Sequence, residues 1–398
     1  MSASSNSNGL RAIIVGGGMG GLAAANALSQ RGIKVSVYEQ APELGEVGAG
    51  ITIYPNSLKL LERMGFGEAM AKVGAPIKPG SHYRRMDGSI VGDIITEDSS
   101  GWNGMYGMHR ADILEAFAAA LPAGVVHTGH RCSGFSQDAD KATVTFDNGH
   151  TDSADLVIAA DGLRSVLQPH AVDPSPPEYA GFRAYRGLVE RSKLDEWPDG
   201  THQVWMGEGK HFMVYGVRRG ELLNYVGFVP TDIETIESWS AEGDRDELAA
   251  SFEGWDPLIG KLLDKVDYCF WWGLNDRRPL NGWSKGRLTL LGDAAHPMLP
   301  HLGQGVNQAI EDGYALALLL DGRSAADVPG VLRAYEKLRK PRTDMVQTEA
   351  RLNGMRYDSK YDNLEKRDNE IRNIAELRLS LYDYDVEDAV REVVKTAH

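Results

Sequence analysis

The chain is poor in cysteine: Cys132 and Cys269 are the only two among 398 residues, so neither a disulfide framework nor a cysteine-built metal cluster is on offer. Two cysteines suit a reducing compartment. No apolar run approaches the length of a membrane span, and the start, MSASSNSNG, lacks the apolar stretch of a signal peptide. That start reads as a disordered tail on a cytoplasmic protein. Positive charge is in deficit, with 42 Lys and Arg against 56 Asp and Glu and a formal net charge of −14. This argues against nucleic acid or an anionic membrane as partner, although the local field of a cleft can still accept an anion. Gly-x-Ser-x-Gly is absent, which removes a nucleophile elbow. His296 and His301 have no carboxylate between them and sit in a glycine-rich stretch, a poor metal spacing. Internal repeats are absent too. With 42% hydrophobic and 25% charged residues the composition is that of a globular protein, long enough for two domains.

What is present begins at Arg11–Gln40, RAIIVGGGMGGLAAANALSQRGIKVSVYEQ. A short apolar strand, Ala12–Val15, runs into Gly16-x-Gly18-x-x-Gly21. An Ala- and Leu-rich helix follows, then a second strand, Val35–Tyr38, ending at Glu39. This is a βαβ dinucleotide fingerprint in its full context. Gly16 allows the tight turn, Gly18 and its neighbour Gly20 leave bare backbone for a pyrophosphate, and Gly21 lets helix and strand pack closely. The helix N-terminus offers unpaired N–H groups and partial positive charge to the phosphates. Glu39 is placed to accept hydrogen bonds from a ribose diol.

Further along, GEVGAGITIYPNSLKLLERMG reads as a glycine-rich loop before an amphipathic helix, and Met108–Leu121 as another helix. Lys141–Phe146 and the buried run Ala154–Ala160 read as strands, the second ending at Asp161-Gly162. From Tyr179 to Phe270 the pattern is strands rich in aromatic and β-branched residues, an antiparallel sheet inserted into the first unit. Parallel-sheet character returns at Arg287–Leu291, followed by a helix from Gly305 to Leu320. The basic run Lys337–Arg342 reads as the solvated face of a helix interrupted at Pro341. Ile371, Ile374, Leu377 and Leu381 form one apolar stripe, so the end of the chain is expected to pack on the body. The expected organisation is α/β. A Rossmann-like FAD-binding unit comprises residues 1–75, 108–175 and 277–345, an antiparallel substrate sheet 76–107 and 176–276, and C-terminal helices 346–398.

Three motifs stand in a diagnostic order: the glycine fingerprint, LVIAADGLRS at 156–165, and LLGDAAHPMLPHLGQGVNQAIED at 290–312. Together they resemble the single-component FAD-dependent aromatic hydroxylases (group A flavoprotein monooxygenases), which include salicylate hydroxylase and 6-hydroxynicotinate 3-monooxygenase. The resemblance runs along nearly the whole chain. It implies non-covalent FAD, NADH or NADPH as reductant, and O2 as co-substrate. In the family pattern Asp293 meets the ribityl or diphosphate region, and Pro297–Gly305 passes along the flavin ring, with Pro300, Gly303 and Gly305 beside it. Asn307 would open the following helix as an N-cap-like residue. Asp161, Arg110 and the loop residues Val47, Gly48 and Ala49 match flavin-contacting positions, and Cys132 falls where adenine is met through backbone. One departure stands out: the family commonly carries arginine three residues after the motif serine, where this chain has Gln168 with Arg164 nearby. That leaves NADH against NADPH open. A second βαβ fingerprint for the nicotinamide is absent, as the family leads one to expect.

The substrate side rests on KHFMVYGV. On a strand, His211, Met213, Tyr215 and Val217 share a face. His211 and Tyr215 match positions that serve the substrate hydroxyl in 6-hydroxynicotinate 3-monooxygenase. An imidazole, ordinarily titrating near ~6.5, suits a base that ionises the substrate hydroxyl before oxygen transfer from a flavin C4a-hydroperoxide. His301 is a second candidate. A substrate carboxylate would want a cation, for which Arg84, Arg183, Arg186 and Arg218 all qualify. The expected activity is hydroxylation of a small hydroxylated aromatic acid of the salicylate, hydroxybenzoate or hydroxynicotinate type by a monomer or homodimer. Alternatives are hydroxylation of another heterocycle such as urate, an FAD oxidase or dehydrogenase without oxygen insertion, or a non-catalytic flavin-binding protein.

Overall fold

Continuous apolar runs bounded by glycine can be satisfied only where both faces of a strand are covered, and here they form a parallel sheet. The computed structural model describes residues 9–45, 50–173, 175–207, 209–232, 241–359 and 364–396, so the N-terminal tail and Val47, Gly48 and Ala49 lie outside it. Five parallel strands lie in the order Leu288–Leu290, Leu156–Ala159, Arg11–Val15, Lys34–Tyr38 and Val126–His127, with Ser284–Lys285 antiparallel at one edge. The helices Met19–Ser29 and Gly305–Leu320 pack against each other beside it. Their backbones approach so closely that a Cβ on Gly313 would stand 2.7 Å from the Ala24 Cα.

The strand-rich middle of the chain forms an eight-stranded sheet in the order Ala241–Gly243, Cys269–Asp276, Glu178–Glu190, Leu222–Pro230, Lys210–Val217, His202–Gly207, His82–Arg85 and Ile90–Asp93. All neighbours are antiparallel except His202–Gly207 with His82–Arg85. Strand alternation sorts its side chains. One face carries Trp205, Phe212, Val214 and Tyr225 against Leu248, Phe252 and Ile259 of two short helices. The other carries Tyr83, Val204, Met206, Tyr215 and Val217 against Tyr54, Leu302, Val346 and Tyr357. The stripe Ile371, Ile374, Leu377 and Leu381 packs into that same cluster, so the C-terminal helices close over the sheet. Among the described residues no helix is long and apolar enough to cross a membrane.

Three expectations are corrected. Met108 and His109 belong to a strand, Tyr106–His109, pairing with Gly50–Ile53, and the helix starts at Arg110. Pro341 does not interrupt its helix, which runs unbroken over Val328–Tyr357. Nor is the basic run a solvated face: Arg339 is fully buried and Arg342 partly so. Both corrections have one cause. Arg339 reaches Glu311 at 2.6 Å and Asp312 at 2.8 Å on the helix Gly305–Leu320, and Arg342 meets Glu311 at 2.8 Å. The two arginines straddle Pro341, so the ion pairs clamp the helix on both sides of the missing backbone donor. Burial disfavours the charge of Glu311, yet Arg342 and Arg339 outweigh it and hold its carboxyl below the ordinary value. Arg339→Met should therefore cost roughly 3–5 kcal/mol by stranding buried carboxylates. Neutralising them as well, in Arg339→Met/Glu311→Gln/Asp312→Asn, should return part of the loss in thermal melting. A triple variant no more stable than the single one would rule out stranded charge as the cause.

Candidate functional site

The dinucleotide end is built around two glycines, Gly16 and Gly21, whose backbone contacts leave no room for a Cβ. Gly16 has φ of +109°, and a Cβ there would lie 2.2 Å from the Ala160 carbonyl oxygen. A Cβ on Gly21 would lie 2.1 Å from the Gly16 oxygen, so helix and turn are in direct contact. Gly18 faces open space instead, and Gly20 packs against Leu291 and Ala309. The helix Met19–Ser29 starts with no side-chain cap and no acid in its first turn, leaving its positive end undiluted. Glu39 is braced beside it, its two carboxylate oxygens accepting from Gly17 N–H at 2.7 Å and Ala41 N–H at 2.8 Å. Each oxygen retains a lone pair for a further donor.

Asp161 follows the strand Leu156–Ala159. Its Oδ2 accepts from Val166 N–H at 2.9 Å, whereas Oδ1 is buried with no partner. Burial pushes this carboxyl up, against the hydrogen bonds it accepts. Arg110 is half-buried at the first position of its helix. Cys132 is buried at the start of a strand, and burial pushes its thiol up to about 11, which makes it inert. Gln168 donates to the Ala294 carbonyl at 2.9 Å and accepts from Arg277, whose guanidinium also reaches the Leu163 carbonyl at 2.8 Å. A cation from a remote part of the chain thus stands beside the glutamine.

The third motif forms two tight turns. Asp293 is exposed in the turn Gly292–Ala294, which is held from behind by Asp312. Asp312 accepts from Gly292 N–H at 3.2 Å and meets His296 Nε2 at 2.5 Å. Pro300–Leu302 makes the second turn. Gly303, at φ +67°, closes it flush against Tyr54, whose hydroxyl would lie 2.6 Å from a Cβ. The helix then begins at Gly305 with neither side-chain cap nor first-turn acid. Asn307 does not open it, contrary to expectation: Gln304 holds the cap position and Asn307 is the third helical residue. Its amide is spent on protein, accepting from Tyr54 N–H and the Ser57 hydroxyl and donating to the Thr52 and Gly303 carbonyls. Asn307 is a clasp between this helix and the Gly50–Ile53 strand.

Register places the substrate-side candidates. His211 pairs with Phe228 and Met213 with Val226, and those pair in turn with Ala184 and Arg186, so all six share a face. His211 is fully buried and stacks on Phe228 at 4.0 Å between ring centroids and 14° between planes. Its Nδ1 lies 2.6 Å from Asp358 Oδ1 at the end of the long helix, and its Nε2 has no partner. His301 comes within 5.1 Å of it, ring to ring, pressed against Gly354, and its Nδ1 is likewise unpartnered. Burial and then the nearby His211 hold His301 well below the ordinary imidazole value, so it is neutral. Tyr215 lies edge-on to His202 at 5.2 Å, and burial raises its phenol above the usual range. Burial also brings His202 down to about 3.

Arg84 holds Gln203 at 2.8 Å, Arg183 holds Glu247 at 3.1 Å, and Arg218 holds Asp112 at 2.9 Å. Arg186 is buried on the His211 face, its guanidinium 4.6 Å from the Trp272 ring centroid. Sequence reasoning missed Asp358 and Arg378. The latter is buried among tyrosines, donating to Tyr83 at 2.8 Å and Tyr382 at 3.3 Å. No local pattern marks either residue, because each meets the site only through the docking of the C-terminal helices.

Comparison with known proteins finds relatives along nearly the whole chain. A family model described as FAD binding domain matches residues 10–350. The 3-amino-4-hydroxybenzoate 2-monooxygenase of Streptomyces platensis is 35% identical over 350 residues, 86% of this chain and 87% of its own. The 6-hydroxynicotinate 3-monooxygenase of Pseudomonas fluorescens is 35% identical over 347 residues, covering 85% and 89% of the two chains. A solved salicylate hydroxylase substrate complex aligns with a TM-score of 0.85 at 28% identity, covering 97% of this chain and 98% of that one.

The bare glycine turn, the braced Glu39 and the unpartnered Asp161 Oδ1 fit FAD. Glu39→Ala should weaken FAD binding by roughly 1.5–3 kcal/mol, the worth of a charged hydrogen bond. Titration of the apoprotein with FAD reads this, and saturating FAD should restore the turnover rate. A rate that stays low at saturating FAD would assign Glu39 another role.

Proposed function

The chain belongs to the FAD-binding family of flavoprotein aromatic monooxygenases, and from that membership we propose that it hydroxylates a small aromatic acid bearing a ring hydroxyl, using NAD(P)H and O2. The observation that carries this reading is His211, a fully buried histidine with an unpartnered Nε2 on the sheet face turned toward the Pro300–Gly303 turn. In this reading the parallel-sheet body holds the dinucleotide and the eight-stranded sheet holds the substrate. Bound FAD, reduced by the nicotinamide, supplies the activation of dioxygen.

The remaining work falls to the chain's own groups. Glu39 would accept from the ribose of the bound dinucleotide, and the positive end of the uncapped helix Gly305–Leu320 would favour negative charge on a bound flavin ring. Asp293, exposed on its turn, accepts from the ribityl hydroxyls. His211 Nε2 takes the proton of the substrate hydroxyl, which makes the ring electron-rich enough to attack oxygen. Tyr215, kept protonated by burial, donates a hydrogen bond that orients the substrate. Arg186 faces the carboxylate of the substrate, and the apolar surface of Met213, Val226 and Phe228 excludes water around the ring.

His211→Asn should keep FAD and its reduction by NAD(P)H while hydroxylation slows by roughly 10²–10⁴-fold, the worth of a positioned base. Peroxide release should rise correspondingly, and higher pH should partly restore product, because the substrate then ionises unaided. Product formed per NAD(P)H oxidised is the measurement; unchanged coupling would remove His211 from the mechanism. Arg186→Gln should raise KM for a hydroxylated aromatic acid by roughly 10–100-fold, the loss of a charge-assisted pair, and leave KM for the same phenol without its carboxyl unchanged. Equal effects on both compounds would show that Arg186 does not read the carboxylate.

A further inference from the structure

We propose that Asp358 is a positioning residue that fixes the imidazole of His211 in the tautomer protonated at Nδ1, so that Nε2 is the atom left free to act as base. The inference rests on the reading of His211 given above. A carboxylate can only accept, so the 2.6 Å contact between Asp358 Oδ1 and His211 Nδ1 puts a proton on Nδ1 and the lone pair on Nε2. That lone pair is the one with no protein partner. The ring itself cannot turn to exchange the two nitrogens. Phe228 stacks on one side at 4.0 Å, while His301 and Tyr357 stand at 5.1 Å on others.

Among the described residues, no other group contacting His211 sets its tautomer. His301 is neutral and contacts His211 ring to ring, and Tyr357 directs its hydroxyl toward Tyr83 at 3.5 Å. The strand partner Phe228 is apolar. Asp358 is itself well placed for the task. Its side chain is 7% exposed, so the pair is shielded from water and the carboxylate meets the imidazolium at close to full strength once Nε2 accepts the substrate proton. The step balances simply: the O–H bond of the substrate breaks, an Nε2–H bond forms, and the positive ring is held by the negative carboxylate. When product leaves, Nε2 returns its proton to water.

The position in the chain makes this a device of the tertiary structure. Asp358 follows directly on the helix Val328–Tyr357, the same helix that Arg339 anchors to Asp312. Docking of that helix therefore both completes the body and completes the base.

The test uses the FAD-loaded enzyme with nitrogen-15 in its histidines. Long-range proton–nitrogen correlation spectra of wild type should show His211 with a protonated Nδ1 and an unprotonated Nε2, assigned by the peaks lost in His211→Asn. In Asp358→Asn, FAD content and reduction by NAD(P)H should persist while product per NAD(P)H falls by roughly 10²-fold, as when the carboxylate behind a catalytic histidine is neutralised. High pH should restore product in this variant as it does in His211→Asn, a response that mere loosening of the helix would not give. A wild-type His211 protonated at Nε2 overturns the proposal without any variant. So does full coupling in Asp358→Asn when His211→Asn is uncoupled. Full coupling in His211→Asn would instead overturn the reading of the base, and the nitrogen spectrum would still decide whether Asp358 sets the tautomer.

Discussion

The buried charge network between two helices governs more of this molecule than any apolar contact. Glu311 and Asp312 lie on the helix Gly305–Leu320, Arg339 and Arg342 on the helix Val328–Tyr357, and His296 on the turn behind Asp293. Taking such charges out of water is costly, and the cost is recovered only when every partner stands in place. The network is therefore intolerant of small displacements. It fixes the angle of the helix Gly305–Leu320, holds the Gly292–Ala294 turn, and carries the long helix straight through Pro341. Apolar packing alone would tolerate sliding by a fraction of a turn. An ion network with directional hydrogen bonds does not.

From this anchor the two halves of the site acquire opposite characters. On the side of the parallel sheet, two uncapped helix N-termini and a glycine turn present backbone N–H groups and partial positive charge. A chain carrying a net charge of −14 can bind an anionic dinucleotide because that local field opposes the overall one. On the side of the antiparallel sheet the surface is aromatic and apolar, interrupted by a few polar groups whose partners are buried. Burial keeps Tyr215 and His301 neutral there, while His211 is held by Asp358. Such a division keeps water from the reacting ring while leaving the nucleotide end polar.

Much of this was legible in one dimension. The glycine fingerprint requires contacts that only a missing Cβ permits, and the structure shows them at Gly16 and Gly21 as close approaches of backbone to backbone. The alternation in KHFMVYGV placed His211 and Tyr215 on one face because a strand has a period of two. The apolar stripe from Ile371 to Leu381 found its cluster. Where the reading went astray, the cause was a partner distant in sequence. Arginine at 339 and proline at 341 are, by local preference, a surface charge and a helix breaker; Glu311 and Asp312 reverse both readings. Asn307 looked like a cap because its side chain favours that role, but Thr52, Tyr54, Ser57 and Gly303 claim its side-chain hydrogen bonds.

The chain by itself determined the elements whose signal is local: the turn that only glycine can make, the helix end left open to phosphate, and the side chains that share a strand face. These follow from steric limits and periodicities acting over a few residues. Only the tertiary structure decided which charges are buried, which of four arginines shares the buried face of His211, and which nitrogen of His211 meets Asp358. Each of those depends on a partner brought from elsewhere: Val226 beside Arg186, Glu311 beside Arg339, Asp358 beside His211. Burial and hydrogen-bond partnership are properties of positions in space, and residues tens to more than a hundred places apart carry no mutual signal until the elements dock.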